Sequence, residues 1–108
     1  YQLAMLGADV IKIESPTRPD LTRTEGPNQD LNDQAYGTYF LGQNGGKRGL
    51  TLDLATDEGA EILRRLIVDA DVLVQNYAGN ALANLGFSAQ AAFAINPRLI
   101  GRSMVIPP

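Results

Sequence analysis

The sequence contains no cysteine and no histidine. The first absence excludes disulfides and thiol chemistry, and the second excludes imidazole acid–base catalysis and histidine-ligated metal sites. No apolar run approaches the roughly 20 residues that a membrane helix needs, so a helical membrane span is not expected. Basic residues are in deficit. Nine against twelve acidic residues give a net charge of −3, which argues against general nucleic-acid binding and confines any anion site to a local cluster. Carboxylates, Lys, Arg, Tyr and Ser are left to carry any chemistry. The 108 residues are about one small domain, with a modest core. The opening "YQLAMLGADV" has no initiator Met, no basic leader and no cleavage signal, and it reads as the interior of an element. A fragment or a trimmed chain is therefore expected.

Two segments share a pattern, "LGADVIKIE" at 6–14 and "DADVLVQN" at 69–76. Each places a β-branched run directly after Ala-Asp, behind a helix-patterned stretch. That is the signature of a helix running into a buried parallel strand, and it predicts strands over 10–13 and 72–75. Between them, "TDEGAEILRRLIV" puts Ile62, Leu63, Leu66 and Ile67 on one helical face. Asp57, Glu58 and Glu61 lie toward the N-terminus, where acids complement the dipole, and Thr56 serves as the cap. Ahead of that helix, "GLTLDL" alternates Leu50, Leu52 and Leu54 with polar residues, as a strand with one buried face does. "NALANLG" fits a short helix closed by Gly86. "SAQAAFAIN" fits another, capped by Ser88 and stopped before Pro97, and a last strand fits 98–106. The order of elements, with short joints between them, predicts an α/β fold with a mostly parallel sheet. Residues 15–44, rich in Pro, Asp, Asn, Gly and Thr, read as a long loop that is either functional or plain surface.

The glycines of "NGGKRGLTLDL" beside a Lys-Arg pair raise the possibility of a phosphate cradle. A P-loop needs a helix after its Lys and a Ser or Thr beside it. Here Lys47 is followed by Arg48 and then by a strand, so the expectation is a tight turn with a solvated basic pair. In open α/β sheets ligands bind outside the carboxyl ends of the strands, which directs attention to Glu14–Ser15, Asp53–Ala55 and Asn76–Ala78. Asn76 with Tyr77 offers an amide beside a ring able to stack on a base. An Asn opening a turn and a Tyr packed over a sheet end fit the same residues. Asp9 and Asp71, each just ahead of a strand, read as turn-backbone acceptors. Glu14 shows no partner in the sequence.

Taken in order, "GADVIKIE", a polar loop ending in an aromatic, "NGGKRGLTLDLATDEG", "DADVLVQNY", "LGF" and "INPRLI" resemble the family III CoA transferases from about Leu3 to Met104. The resemblance implies a Rossmann-like open, mostly parallel sheet with flanking helices, incomplete relative to the family's large domain, so that 1–108 forms a partial CoA-binding domain. It implies CoA as substrate, with Leu52, Asp53, Leu54 and Ala55 at the adenosine part and Asn76, Tyr77 and Ala78 lining the same molecule. The family passes CoA from an acyl-CoA thioester to an acceptor carboxylate through an aspartyl anhydride. Its nucleophilic Asp corresponds to no residue here, so no catalytic residue and no metal ligand is assigned. A cytoplasmic homodimer that contacts neither nucleic acid nor membrane is implied as well. The sequence departs from the family at Ser15 and Asn84, where cations that meet CoA are common, and at Ala78, Gly79 and Asn80, where Arg-Pro-Gly is usual. A truncated non-catalytic binding or self-assembly module, and a fragment from the family's acyl-CoA racemase branch, are the alternative readings.

Overall fold

The computed structural model describes residues 1–77 and 81–103. The chain divides into two compact units, Tyr1–Asp53 and Leu54–Pro108. Its class is α/β: each unit holds a pair of short parallel strands with helices around it. No helix among the described residues is long and apolar enough to cross a membrane.

In the first unit, helix α1 (Gln2–Met5) precedes β1 (Ile11–Glu14), which pairs in parallel with β2 (Arg48–Thr51), Ile11 opposite Arg48 and Glu14 opposite Thr51. The ladder is extended at both ends, by Arg48 N–H to the Val10 carbonyl at 2.8 Å and by Leu52 N–H to the Glu14 carbonyl at 3.0 Å. A parallel pair requires a long crossover, and residues 15–47 supply it. That crossover is not the featureless loop its composition suggests. It contains a 3-10 helix (Leu21–Thr24), α2 (Gln29–Asp33) and α3 (Thr38–Asn44). The polar residues that read as loop are helix starts. The Asp20 carboxylate accepts from Thr22 N–H, Asn28 Oδ1 accepts from Leu31 N–H, and Gly37 stands at the start of α3. Helices this short show no 3.6-residue periodicity, and their caps resemble turn chemistry.

The second unit runs through α4 (Asp57–Asp69), β3 (Val72–Gln75), α5 (Ala81–Asn84), α6 (Ala89–Ile95) and β4 (Ile100–Ser103). Thr56 Oγ1 accepts from Gly59 N–H at 3.1 Å, and Asp57 and Glu58 occupy the first turn of α4, as expected. The buried stripe of α4 is Gly59, Ala60, Leu63 and Ile67. Ile62, expected on that face, is exposed, because the face is set by the 59/60–63–67 row and Ile62 lies a full step around the cylinder. Phe87, Ala92 and Leu99 are buried with Leu63 and Ile67 in the core. The Arg64 guanidinium lies 5.6 Å over the Phe87 ring. β3 and β4 pair in parallel, Val72 opposite Ile100. β3 is not wholly buried as expected: Val72 and Val74 are exposed while Leu73 and Gln75 are half-buried.

Asn96, the residue after α6, is buried although polar. Its Nδ2 donates to the carbonyls of Ile67 at 2.9 Å and Ala70 at 2.8 Å, and its Oδ1 accepts from Arg98 N–H at 3.1 Å. The side chain thereby adds a second donor to the Ile67 carbonyl, which also accepts from Ala70 N–H at 3.2 Å, and supplies one to the Ala70 carbonyl just past the end of α4.

Candidate functional site

The three strand ends to which the sequence points each have their own chemistry. At the end of β1 the Glu14 carboxylate is gripped by Arg23: Nε reaches Oε2 at 3.0 Å and Nη2 reaches Oε1 at 2.7 Å. Asp20 N–H adds a third bond to Oε2 at 2.8 Å. Arg23 also donates to the Ala35 carbonyl at 3.3 Å and lies 3.8 Å over the Phe40 ring. Beside it, Lys12 pairs with Asp20 at 2.9 Å. A two-pronged guanidinium–carboxylate pair is among the stronger polar contacts, and this one is mostly buried, with side-chain exposures of 26% and 11%. Glu14, without a visible partner in the sequence, is therefore the anchor that ties the crossover to β1. Ser15 follows it and turns the chain, its Oγ accepting from the N–H groups of Thr17 at 3.2 Å and Arg18 at 3.3 Å.

The carboxyls of this cluster titrate below their ordinary range. Hydrogen bonding by Arg23 lowers Glu14 against the opposing effect of burial, with Asp20 N–H and the charge of Lys12 assisting. Burial pushes Asp20 up, but bonds from Thr22 and Lys12 outweigh it and hold the group at about 2. Arg23 is raised by Glu14. A carboxyl whose folded pKa is depressed stabilises the fold above its unfolded value and loses that contribution as pH falls toward the folded one. The contribution of these two carboxyls to the stability of the first unit is therefore expected to be complete above about pH 4.5, the ordinary value of Glu14, and to fall as pH drops toward about 2, where Asp20 protonates. Arg23→Ala is expected to cost about 2 kcal/mol at neutral pH and to remove the Glu14 part of that acid dependence, leaving the part that Asp20 owes to Thr22 and Lys12. Urea titrations at several acidic pH values measure both, and an unchanged pH slope in the variant would refute the assignment.

The end of β2 begins at Leu52, which is buried. Asp53 is exposed, Leu54 half-buried and Ala55 exposed, the last two forming the turn into the Thr56 cap. Leu52 and Asp53 close the first unit, and Leu54 and Ala55 open the second. At the end of β3, Asn76 and Tyr77 are both exposed, and Tyr77 N–H donates to the Gln75 side chain at 2.8 Å. Tyr77 is 40% exposed. Ala78 lies outside the described residues, as do Gly79 and Asn80. Asn84 ends α5 and is exposed.

The glycine loop is a turn from α3 into β2, with Gly46 at φ +80°. Its basic pair is engaged where a purely solvated pair was expected. Lys47 Nζ donates to Asn44 Oδ1 at 2.9 Å. Arg48 forks onto Asp9 at 2.9 and 2.6 Å, so Asp9 holds a side chain where a turn-backbone role was expected. That pair is two-thirds exposed and contributes little to stability. Asp71 serves instead through its main chain, its carbonyl accepting from Ile100 N–H at 2.9 Å.

A sequence profile of CoA-transferase family III matches residues 1–105. Over 102 residues the chain is 44% identical to a formyl-CoA:oxalate CoA-transferase of Afipia carboxidovorans, an alignment that takes in 94% of this chain and 23% of that protein. It is 39% identical over 101 residues to a succinate–glutarate CoA-transferase of Agrobacterium fabrum, covering 91% of this chain and 25% of that one. Among solved structures, a CAIB/BAIF family protein from Brucella suis superposes with a TM-score of 0.79 at 42% identity, over 94% of this chain and 27% of its own. A hypothetical protein from Mycobacterium tuberculosis superposes with a TM-score of 0.77 at 31% identity, over 95% and 27%. The chain thus spans about a quarter of the length of the relatives it matches.

Proposed function

This chain belongs to CoA-transferase family III, and from that premise we propose that it forms the CoA-binding portion of an enzyme that moves CoA from an acyl-CoA thioester to an acceptor carboxylate. The observation that carries the reading is the family match over nearly the whole segment. The names of the two relatives add a chemical class: one pairs formyl-CoA with oxalate and the other succinate with glutarate. What they share is CoA passing between carboxylic acids. We assign Leu52, Asp53, Leu54 and Ala55 to the adenosine end of CoA, and Asn76, Tyr77 and Ala78 to the same molecule, within a Rossmann-like domain of a cytoplasmic homodimer. In the transfer itself a carboxylate attacks the thioester carbonyl, the CoA thiolate departs and an anhydride forms; the thiolate is then passed to the acceptor, whose activated carboxyl it attacks to give the new thioester as the attacking carboxylate is released. That carboxylate is assigned to no residue of this segment. The segment supplies binding energy remote from the reacting carbonyl. Ser15 and Asn84 stand where cations would meet CoA phosphates, which lowers the expected affinity.

Calorimetric titration with CoA, with 3′-dephospho-CoA as control, tests the reading. Saturable binding is expected, weakened about tenfold by Tyr77→Ala, the order of one lost base–aromatic stack. Asn76→Ala is expected to weaken it as well. A folded sample that takes up no CoA at millimolar concentration would sink the assignment of these strand ends.

A further inference from the structure

The fold does not require the glycine at position 45. Its φ of −59° and ψ of 133° are ordinary for any residue, and a Cβ there would meet the Tyr1 ring at 3.5 Å, a normal van der Waals contact. The next residue differs, because the φ of +80° at Gly46 strains an L side chain. Of the seven asparagines in the sequence only Asn44 precedes a glycine. That neighbour, lacking a side chain, leaves the backbone nitrogen least hindered for attack on the asparagine side chain. Against this intrinsic lability the structure sets two restraints. Asn44 Nδ2 donates to the Phe40 carbonyl at 2.9 Å, and Asn44 Oδ1 accepts from Lys47 Nζ at 2.9 Å. The side chain is half-buried at the end of α3, held at both of its polar atoms.

We infer that Asn44–Gly45 is a succinimide-forming deamidation site held shut by these two hydrogen bonds, with Lys47 as the residue that sets its rate. In the reaction the Gly45 nitrogen gives up its proton and bonds to Cγ of Asn44, closing the succinimide ring. The Cγ–Nδ2 bond breaks, and that nitrogen takes up a proton and leaves as ammonia. Solvent water then opens the ring at either carbonyl, giving an aspartyl or an isoaspartyl residue. No electrons are exchanged with any other group, and water is the one co-reactant. The product carries a new negative charge, and in its isoaspartyl form an extra backbone carbon, directly ahead of β2. The donor to Phe40 is lost in either form. The inference is independent of the CoA reading.

The test is incubation of the 108-residue chain in neutral buffer, with digestion and mass spectrometry to follow amide-to-acid conversion at all seven asparagines. Lys47→Ala, shown to be folded by circular dichroism, is expected to convert at Asn44 about tenfold faster than the parent, the factor belonging to one hydrogen bond of roughly 1.4 kcal/mol. The other six sites should not change. Lys47→Arg keeps a donor and should restore the slow rate, and Gly45→Ala added to Lys47→Ala should abolish the gain. Equal rates in the parent and the folded Lys47→Ala chain, or a gain that Gly45→Ala leaves intact, would overturn the inference. Should Lys47→Ala fail to fold, the parent chain in buffer and in urea decides: selective acceleration at Asn44 on unfolding supports the inference, and no acceleration overturns it.

Discussion

Asn96→Asp is expected to destabilise the second unit by about 3–5 kcal/mol at neutral pH, the range for placing an uncompensated charge in a buried site. The amide nitrogen of Asn96 donates to the Ile67 and Ala70 carbonyls. The substitution puts an acceptor against those two acceptors, at the end of α4 where the helix dipole is negative. Asn96→Ala removes the donors without adding charge and should cost less, about 1–3 kcal/mol, because the Ala70 carbonyl loses the donor that Asn96 supplies while the Ile67 carbonyl keeps its bond from Ala70 N–H. The two variants also differ in pH response. The introduced carboxyl has its folded pKa raised above the unfolded value of about 3.9, so its penalty is absent below that value, grows as pH rises through the interval, and is complete above the folded pKa. Urea unfolding followed by circular dichroism at neutral and acidic pH reads both effects. An Asn96→Asp chain within about 1 kcal/mol of the parent at neutral pH would contradict the role assigned to this side chain.

Gly37→Ala is expected to cost about 3 kcal/mol or more, for a steric reason. The φ of −50° at Gly37 suits any residue, so what is restricted is the space around it. A Cβ there would collide with the carbonyl oxygen of Glu25, with that of Thr22 at 2.6 Å and with that of Arg23 at 2.9 Å. All three belong to backbone, which cannot swing aside as a long side chain does. Gly37 N–H also donates to the Arg23 carbonyl at 2.7 Å, so any shift that relieves the collision strains the bond that brings the two segments together. Gly42, inside α3, is the control. A Cβ there meets nothing within 4 Å, and Gly42→Ala should stabilise by about 0.5–1 kcal/mol through helix propensity. Opposite signs from two glycine-to-alanine changes five residues apart are the expected result. Equal effects would mean that the close approach at Gly37 is unimportant.

The residues whose partners are close in sequence were the legible ones. Thr56 capping Gly59 and Ser88 capping Ala91 follow from local chemistry, as does the strand over Val72–Gln75, whose Ala-Asp-Val start matches that of β1. Arg23 was not legible. It meets Glu14 from within a stretch that has no periodicity, and it is positioned by the capped turn at Asp20 and by the Phe40 ring, which only the folded crossover brings near. Asn96 read as a helix stop before Pro97, and nothing in that stretch reveals that its amide reaches back to the end of α4. Alternation identified Leu52 as core, yet periodicity could not identify the true face of α4, where Ile62 and Ile67 look equivalent as residues and only Ile67 is inside. For the strand ends, the sequence placed Asn76 and Tyr77 just after β3 correctly, and the ordered series of motifs linked them to one family.

The parallel pairing of β1 with β2 sets an order of events as the chain is made. Ile11 has no ladder partner until Arg48 exists, and closing so long a loop costs entropy before any bond rewards it. Through that interval the bonds available to the growing chain are short-range ones, such as Asn28 with Leu31 and Asp20 with Thr22. The small helices of the crossover are thus the structure that can exist first, and they shorten the distance the ladder must close.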